Sequence, residues 1–166
     1  MRCACEAKVE IRASSVDEMR RHGEALFRAH FEEIATNQDS TTLDPDWRHY
    51  ELIEQAGLIF TLAAWHVQPF GALEPDKLCG YSANLLIPEH LHYKALRYVS
   101  NDVLYVHPDY RGGSVAGRLM RATRDAARAR GAKRLCWHAK KGTALDAILG
   151  KRETCIVQDI IYSEIL

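Results

Sequence analysis

Residues 7–12 alternate, with Val9 and Ile11 set against Lys8, Glu10 and Arg12, and this period of two predicts a half-buried first strand. The period then changes. From residue 16 towards residue 35, Met19, Leu26, Phe27, Phe31 and Ile34 recur near helical spacing behind a capping Ser14 or Ser15 and the acids Asp17 and Glu18, so one long helix is expected. Residues 37–44 are polar and turn-rich; Pro45 then opens a second helix carrying Trp47, Tyr50, Leu52 and Ile53, which Gly57 ends. Residues 58–67 and 78–87 read as two strands of an antiparallel hairpin, joined across Pro69, Gly71 and Pro75.

The pattern breaks at residues 88–94 and returns over residues 96–106 as a long strand that His107-Pro108 stops. Residues 114–130 are clearly amphipathic, with Val115, Leu119, Ala122, Ala126 and Ala129 on one face, arginines on the other, and Gly131 at the end. A short strand at 134–139, a short helix at 143–149 and a closing β segment at 156–166 complete the order. The order predicts an α/β fold of mixed type: an early hairpin run, then a strand–helix–strand crossover over residues 97–139. Trp47, Trp65 and Trp137 are expected in the core, and Trp137 is expected on a central strand.

A chain of 166 residues fits a single domain, 1–166, with enough length to bury a core unaided. Apolar residues make up 47% and charged residues 27%, which excludes the disordered and fibrous classes. Net charge is zero, so bulk charge calls for neither a nucleic-acid nor a membrane partner. The placement of charge is uneven, however: ten basic residues lie between Arg111 and Lys141 against one acid, Asp125, and an anionic partner is expected there. The five cysteines form no CxxC pair, which argues against a disulfide framework or a zinc knuckle and fits a cytoplasmic location.

The chemistry concentrates after the strand that ends at Val106, in the run His107-Pro108-Asp109-Tyr110-Arg111-Gly112-Gly113-Ser114-Val115-Ala116-Gly117-Arg118. A strand, a glycine turn and a helix start in succession leave backbone N–H groups unpaired at the positive end of a helix dipole, a ready site for a phosphate or diphosphate. A dinucleotide fold needs its glycine turn after the first strand, and a P-loop needs Gly-Lys-Ser/Thr; neither is present.

The same run resembles the acetyl-CoA signature of the GNAT superfamily of N-acetyltransferases, Q/R-x-x-G-x-G/A, with Arg111 first, Ala116 last and Ser114 where the family usually has glycine. Leu104-Tyr105-Val106 resembles the family's strand that pairs with the pantetheine arm. The resemblance implies a twisted, mostly antiparallel mixed sheet of about six to seven strands, a splayed central parallel pair, and helices on both faces. It implies acetyl-CoA as co-substrate without a metal, held by Leu104, Tyr105, Val106, Arg111, Gly112, Gly113, Ser114, Val115, Ala116, Gly117 and Arg118. Transfer would be by direct attack of a primary amine, of a small molecule or a peptide, in a ternary complex.

Such attack needs a base for the amine, a donor for the oxyanion and a proton for the departing thiolate. Val106 N–H is the expected oxyanion donor. Asp102, on the same strand, is the first candidate base; His92 and His138 are rivals because imidazole titrates near neutrality. The tyrosine that many family members carry on the helix after the crossover is missing from residues 143–152, leaving Tyr105, Tyr162 or solvent as proton donor. That gap also keeps open a non-catalytic domain that binds acetyl-CoA as a ligand. A homodimer is compatible with the resemblance, and the acceptor is not readable.

Overall fold

A computed structural model describes residues 8–34, 42–69 and 72–159. The chain runs β1 (Lys8–Ser14), α1 (Val16–His22), α2 (Glu24–Ile34), α3 (Trp47–Gln55), β2 (Ile59–Val67), β3 (Lys77–Ile87), β4 (Tyr98–Val106), a 3₁₀ turn (Pro108–Tyr110), α4 (Val115–Ala129), β5 (Arg134–Trp137) and α5 (Ala144–Gly150). The strands form one sheet in the order β1-β2-β3-β4-β5, antiparallel through β4, with β4 and β5 parallel because α4 carries the chain across between them.

Alternation along the strands sends one set of side chains to each face, and each face receives its own helices. Leu62, Ala64, Cys79, Val99 and Val106 meet Val115, Leu119 and Ala127 of α4. On the other face Ala63, Trp65, Leu78, Tyr81 and Tyr105 pack with Met19 of α1 and Leu26 of α2. Leu119 is fully buried, and truncating such a leucine costs about 2–5 kcal/mol.

Four sequence expectations change. The single helix over residues 16–35 is two, divided at Gly23, which caps α1 by donating its N–H to Met19 O. A Cβ at Gly23 would lie 2.4 Å from the Phe27 ring, so the glycine lets that ring close onto the helix joint. The sheet has five strands among the described residues rather than six or seven: residues 156–159 form no strand, and 160–166, with Tyr162, lie outside the described residues. The parallel pair therefore lies at one edge of the described sheet. Trp137 follows suit and is half-buried on β5, not enclosed in the core.

One irregularity decides how the site is built. Ala83 pairs with Val103 and Asn84 with Asn101, so Asp102 is the extra residue of a bulge in β4. Beneath it lies a buried polar cluster: Asn101 Nδ2 faces Ser82 Oγ at 3.0 Å, Asn84 Oδ1 at 2.8 Å and Val103 O at 2.8 Å, while Ser82 and Thr123 share a hydrogen bond of 2.8 Å. Asn101 thus satisfies backbone and side-chain acceptors that the broken ladder would otherwise bury unpaired.

Candidate functional site

Between β4 and α4 the chain turns through the glycine run, and contacts on both sides hold the turn. Arg111 N donates to Pro108 O at 3.1 Å, and Tyr110 OH shares a hydrogen bond of 2.6 Å with His66 Nδ1 at the end of β2. Gly112 takes φ +83, the left-handed region that glycine enters without strain. Ser114 makes no side-chain cap to α4, and its carbonyl accepts from Arg118 N, so the amides of Val115, Ala116 and Gly117 form the open first turn. Gly113 and Gly117 are exposed, and a Cβ at either would meet nothing within 4 Å. The result is an uncovered cradle of amides at a helix N-terminus, with Arg118 half-buried on the same turn.

The cradle opens beside a fork. Pairing of β4 with β5 stops at Asn101 opposite Trp137, and the last contact across the pair is His138 N donating to Asn101 O at 3.2 Å. His107 N donates to Cys79 O of β3, so alternation turns the amides of Leu104 and Val106 the other way, into the gap that β5 leaves. Asn101 Oδ1 is buried without a hydrogen-bond partner among the described residues at this last rung.

Arg111 sits between cradle and fork. Its Nε donates to Val106 O at 2.8 Å, its Nη2 lies 2.6 Å from Glu33 Oε2 on α2, and its guanidinium stacks 5.3 Å from the Tyr105 ring. Tyr105 OH donates to the same Glu33 oxygen at 3.1 Å. The Arg111 hydrogen bond holds the Glu33 carboxyl below the usual range and raises Arg111 in turn. Burial and the carboxylate beside it push the Tyr105 phenol up, so it keeps its proton. Arg111 therefore fastens the turn to β4 and α2 and is not splayed towards the cradle.

On the α1–α3 side of the fork lies a cavity of about 330 Å³ with a wall of Phe27, Trp47, Tyr50, Tyr81, Ile59 and Val103. Asp102 and Val103 both line it, although neighbours on a regular strand point to opposite faces; the bulge turns Asp102 onto the same face. Burial raises the Tyr50 and Tyr81 phenols, and the negative charge of Asp102 adds to both. His30 Nδ1 shares a hydrogen bond of 2.8 Å with Tyr81 OH, and its ring lies 4.5 Å from that of Tyr105. Burial lowers His30 to about 4 against the opposing pull of Glu33, so the ring is neutral at pH 7.

Of the candidate bases, Asp102 alone lines this cavity among the described residues. His138 stands exposed where β5 ends, its Nε2 3.3 Å from Ser100 Oγ. His92 lies exposed in the loop before β4, where its N–H donates to His90 Nδ1, and it is not among the described cavity residues. His30 and Asn101 were not singled out from sequence. No cluster of metal-ligating side chains occurs among the described residues, and none of their helices is long and apolar enough to cross a membrane.

The acetyltransferase (GNAT) family model matches residues 25–148. No curated protein sequence matches the chain. Among solved structures, it is similar to a ribosomal-protein-alanine N-acetyltransferase from Brucella melitensis biovar Abortus 2308, at 21% identity and TM-score 0.63 over 96% of this chain and 99% of that one. An aminoglycoside acetyltransferase from an uncultured soil metagenomic sample, in complex with sisomicin, aligns at 16% identity and TM-score 0.69 over 95% and 96%. A protein described as a predicted acetyltransferase from Clostridium acetobutylicum, with acetyl-CoA, aligns at 15% identity and TM-score 0.62 over 93% and 96%. At these identities the likeness shows the fold.

Proposed function

This chain belongs to the acetyltransferase (GNAT) family, and from that premise we propose that it transfers the acetyl group of acetyl-CoA to a primary amine by direct attack in a ternary complex. The observation that carries the reading is the juxtaposition of an open amide cradle at α4, a gap beside β4 and a cavity whose described lining holds one carboxylate, Asp102. The residues present fit the co-substrate. The uncapped first turn and the side-chain-free surfaces of Gly113 and Gly117 suit a diphosphate, and the unpaired edge of β4 suits an extended amide-bearing arm. When bound, acetyl-CoA supplies an acetyl group activated as a thioester.

The protein's own groups divide the remaining work. Asp102, at the cavity side of the bulge, takes the proton of the acceptor ammonium, which in a simple amine has a pKa of about 10. The Val106 N–H, facing the gap, donates to the acyl oxygen as negative charge builds there; removing one such donor in an enzyme typically costs about 2.7–4 kcal/mol. Tyr105 directs its proton to Glu33, and α5 contains no tyrosine, so among the described residues the departing sulfur is left to solvent for its proton; Tyr162 lies outside them. Cys79 and Cys136 thiols are both pushed up by burial, which suits a mechanism without an acyl-cysteine.

The test is amine-dependent release of CoA. Wild-type protein should release thiol only when both acetyl-CoA and an amine are present, and Asp102→Asn should lower kcat by about 10²–10⁴-fold. Acetyl-CoA binding without amine-dependent release across a broad amine panel would favour the binding-domain alternative, to which the absence of a tyrosine from α5 also points.

A further inference from the structure

Among the described residues, the acceptor cavity differs from a site for polycations in how few acids line it. Its described walls are mainly carbon: Phe27 meets Tyr81 edge-on at 5.1 Å and Trp47 at 5.7 Å, and Trp47 meets Tyr50 at 5.9 Å. Asp102 is the one carboxylate among the described lining residues. Three acids of the described α2 and α3 are committed elsewhere. Glu33 is held by Arg111 and Tyr105, Glu54 accepts the Val16 N–H at 2.9 Å, and Glu51 faces Arg20 at 3.4 Å. Lys140 donates to Ile34 O at the rim, and His30 is neutral.

Among the described lining residues one ammonium therefore finds a carboxylate and a second finds none, and Lys140 on the same lining opposes a second cation. An α-amino acid fails for another reason: its carboxylate lies two bonds from its ammonium and would sit against Asp102. Aromatic walls, in contrast, favour both an apolar body and a cation at their faces. The volume of about 330 Å³ lies at the small end of the range for ligand sites, about 300–1,000 Å³.

Resting on the transferase reading above, we infer that the acceptor is a primary monoamine with a single aromatic or similarly bulky apolar body. Its ammonium lies against Asp102 and its body among Phe27, Trp47 and Tyr81. The ammonium gives one proton to Asp102, the amine nitrogen bonds to the acetyl carbon and the carbon–sulfur bond breaks; the second nitrogen proton passes to solvent while the sulfur takes a proton from it, so the amide and the CoA thiol leave.

CoA release at saturating acetyl-CoA is to be measured for 2-phenylethylamine, tryptamine, ethylamine, phenylalanine, spermidine and sisomicin. Burial of the aromatic body should raise kcat/KM for the two arylalkylamines on the order of 10- to 100-fold over ethylamine. Phenylalanine, spermidine and sisomicin should fall at or below ethylamine. Trp47→Ala, and independently Ala83→Leu, should shrink the ratio of 2-phenylethylamine to ethylamine at least threefold; a ratio between two substrates does not depend on how much enzyme folds. A preference for spermidine, sisomicin or phenylalanine, or a ratio unmoved in both variants, overturns the inference and leaves the transferase reading standing. No release from any amine, with acetyl-CoA still raising the melting temperature, overturns the transferase reading and this inference with it.

Discussion

Replacing Gly117 with aspartate should move two quantities in opposite directions. Gly117 is the third residue of α4, exposed, with open space where its Cβ would be. Aspartate is a slightly better helix former than glycine, and a negative charge in the first turn of a helix adds about 0.3–1 kcal/mol. The unliganded protein should therefore gain about 0.5–1 kcal/mol, which in a domain of this size raises the melting temperature by about 1–4 °C. The diphosphate should fare worse, because like charges about 4 Å apart repel by about 4 kcal/mol at the effective dielectric of a protein surface. If salt screening halves that figure, binding weakens about 30-fold, at about 1.4 kcal/mol per tenfold.

Calorimetric melting with and without acetyl-CoA reads both effects. At 100 times its dissociation constant the ligand should stabilise the wild type by about 2.7 kcal/mol, and the same concentration should stabilise the variant by less than about 1 kcal/mol. Gly117→Asn has nearly the same shape without the charge and should lose less of the ligand effect than Gly117→Asp. A variant aspartate that retains the full ligand shift would place the diphosphate elsewhere, and one that melts earlier without ligand would refute the account of the open helix end.

Asn101→Ala removes an amide whose two N–H groups lie within reach of acceptors under the bulge, the carbonyls of Ala83 and Val103 among them, and leaving a buried group unpaired costs about 1–3 kcal/mol, so the urea midpoint should fall with little change in m. It should also lower kcat more than thermal stability alone explains, because the bulge aims Asp102. His30 is lowered from 6.5 to about 4, so as pH falls the unfolded chain takes its proton first: this stability is complete above pH 6.5 and is lost progressively towards pH 4. His30→Gln should remove that acid slope, at most a few kcal/mol at about 1.4 kcal/mol per pH unit, in denaturation curves taken across pH 4–7. Leu119→Ala should destabilise by about 2–5 kcal/mol in chemical unfolding and leave KM for the amine unchanged, because Leu119 lies on the α4 face of the sheet.

The cofactor side was legible because it is local: a strand, its glycine turn and the helix that follows lie in one continuous run, 104–118, and a backbone cradle needs no distant partner. The acceptor side was not. Asp102 was legible as a strand carboxylate, yet its aim depends on a one-residue bulge that only the pairing with Ala83 and Asn84 reveals. His30 and Glu33 become part of the site only because α2 lies across Tyr81 and Tyr105, fifty and more residues away in sequence. The dense apolar spacing of residues 16–34 hid the break at Gly23, where a Cβ would meet the Phe27 ring, a contact that the pattern does not show. Trp137 read as core because apolar composition does not say where a sheet ends.

The central claim is that the amides from Gly113 to Gly117 hold a diphosphate while the acyl end enters the gap beside Val106. Backbone amide NMR during a titration with acetyl-CoA tests it most directly. The account predicts that the largest shifts fall on residues 113–117 and on Leu104 and Val106, with Gly117→Asp suppressing the first group. Saturable binding that leaves residues 113–117 and Val106 unmoved would contradict it.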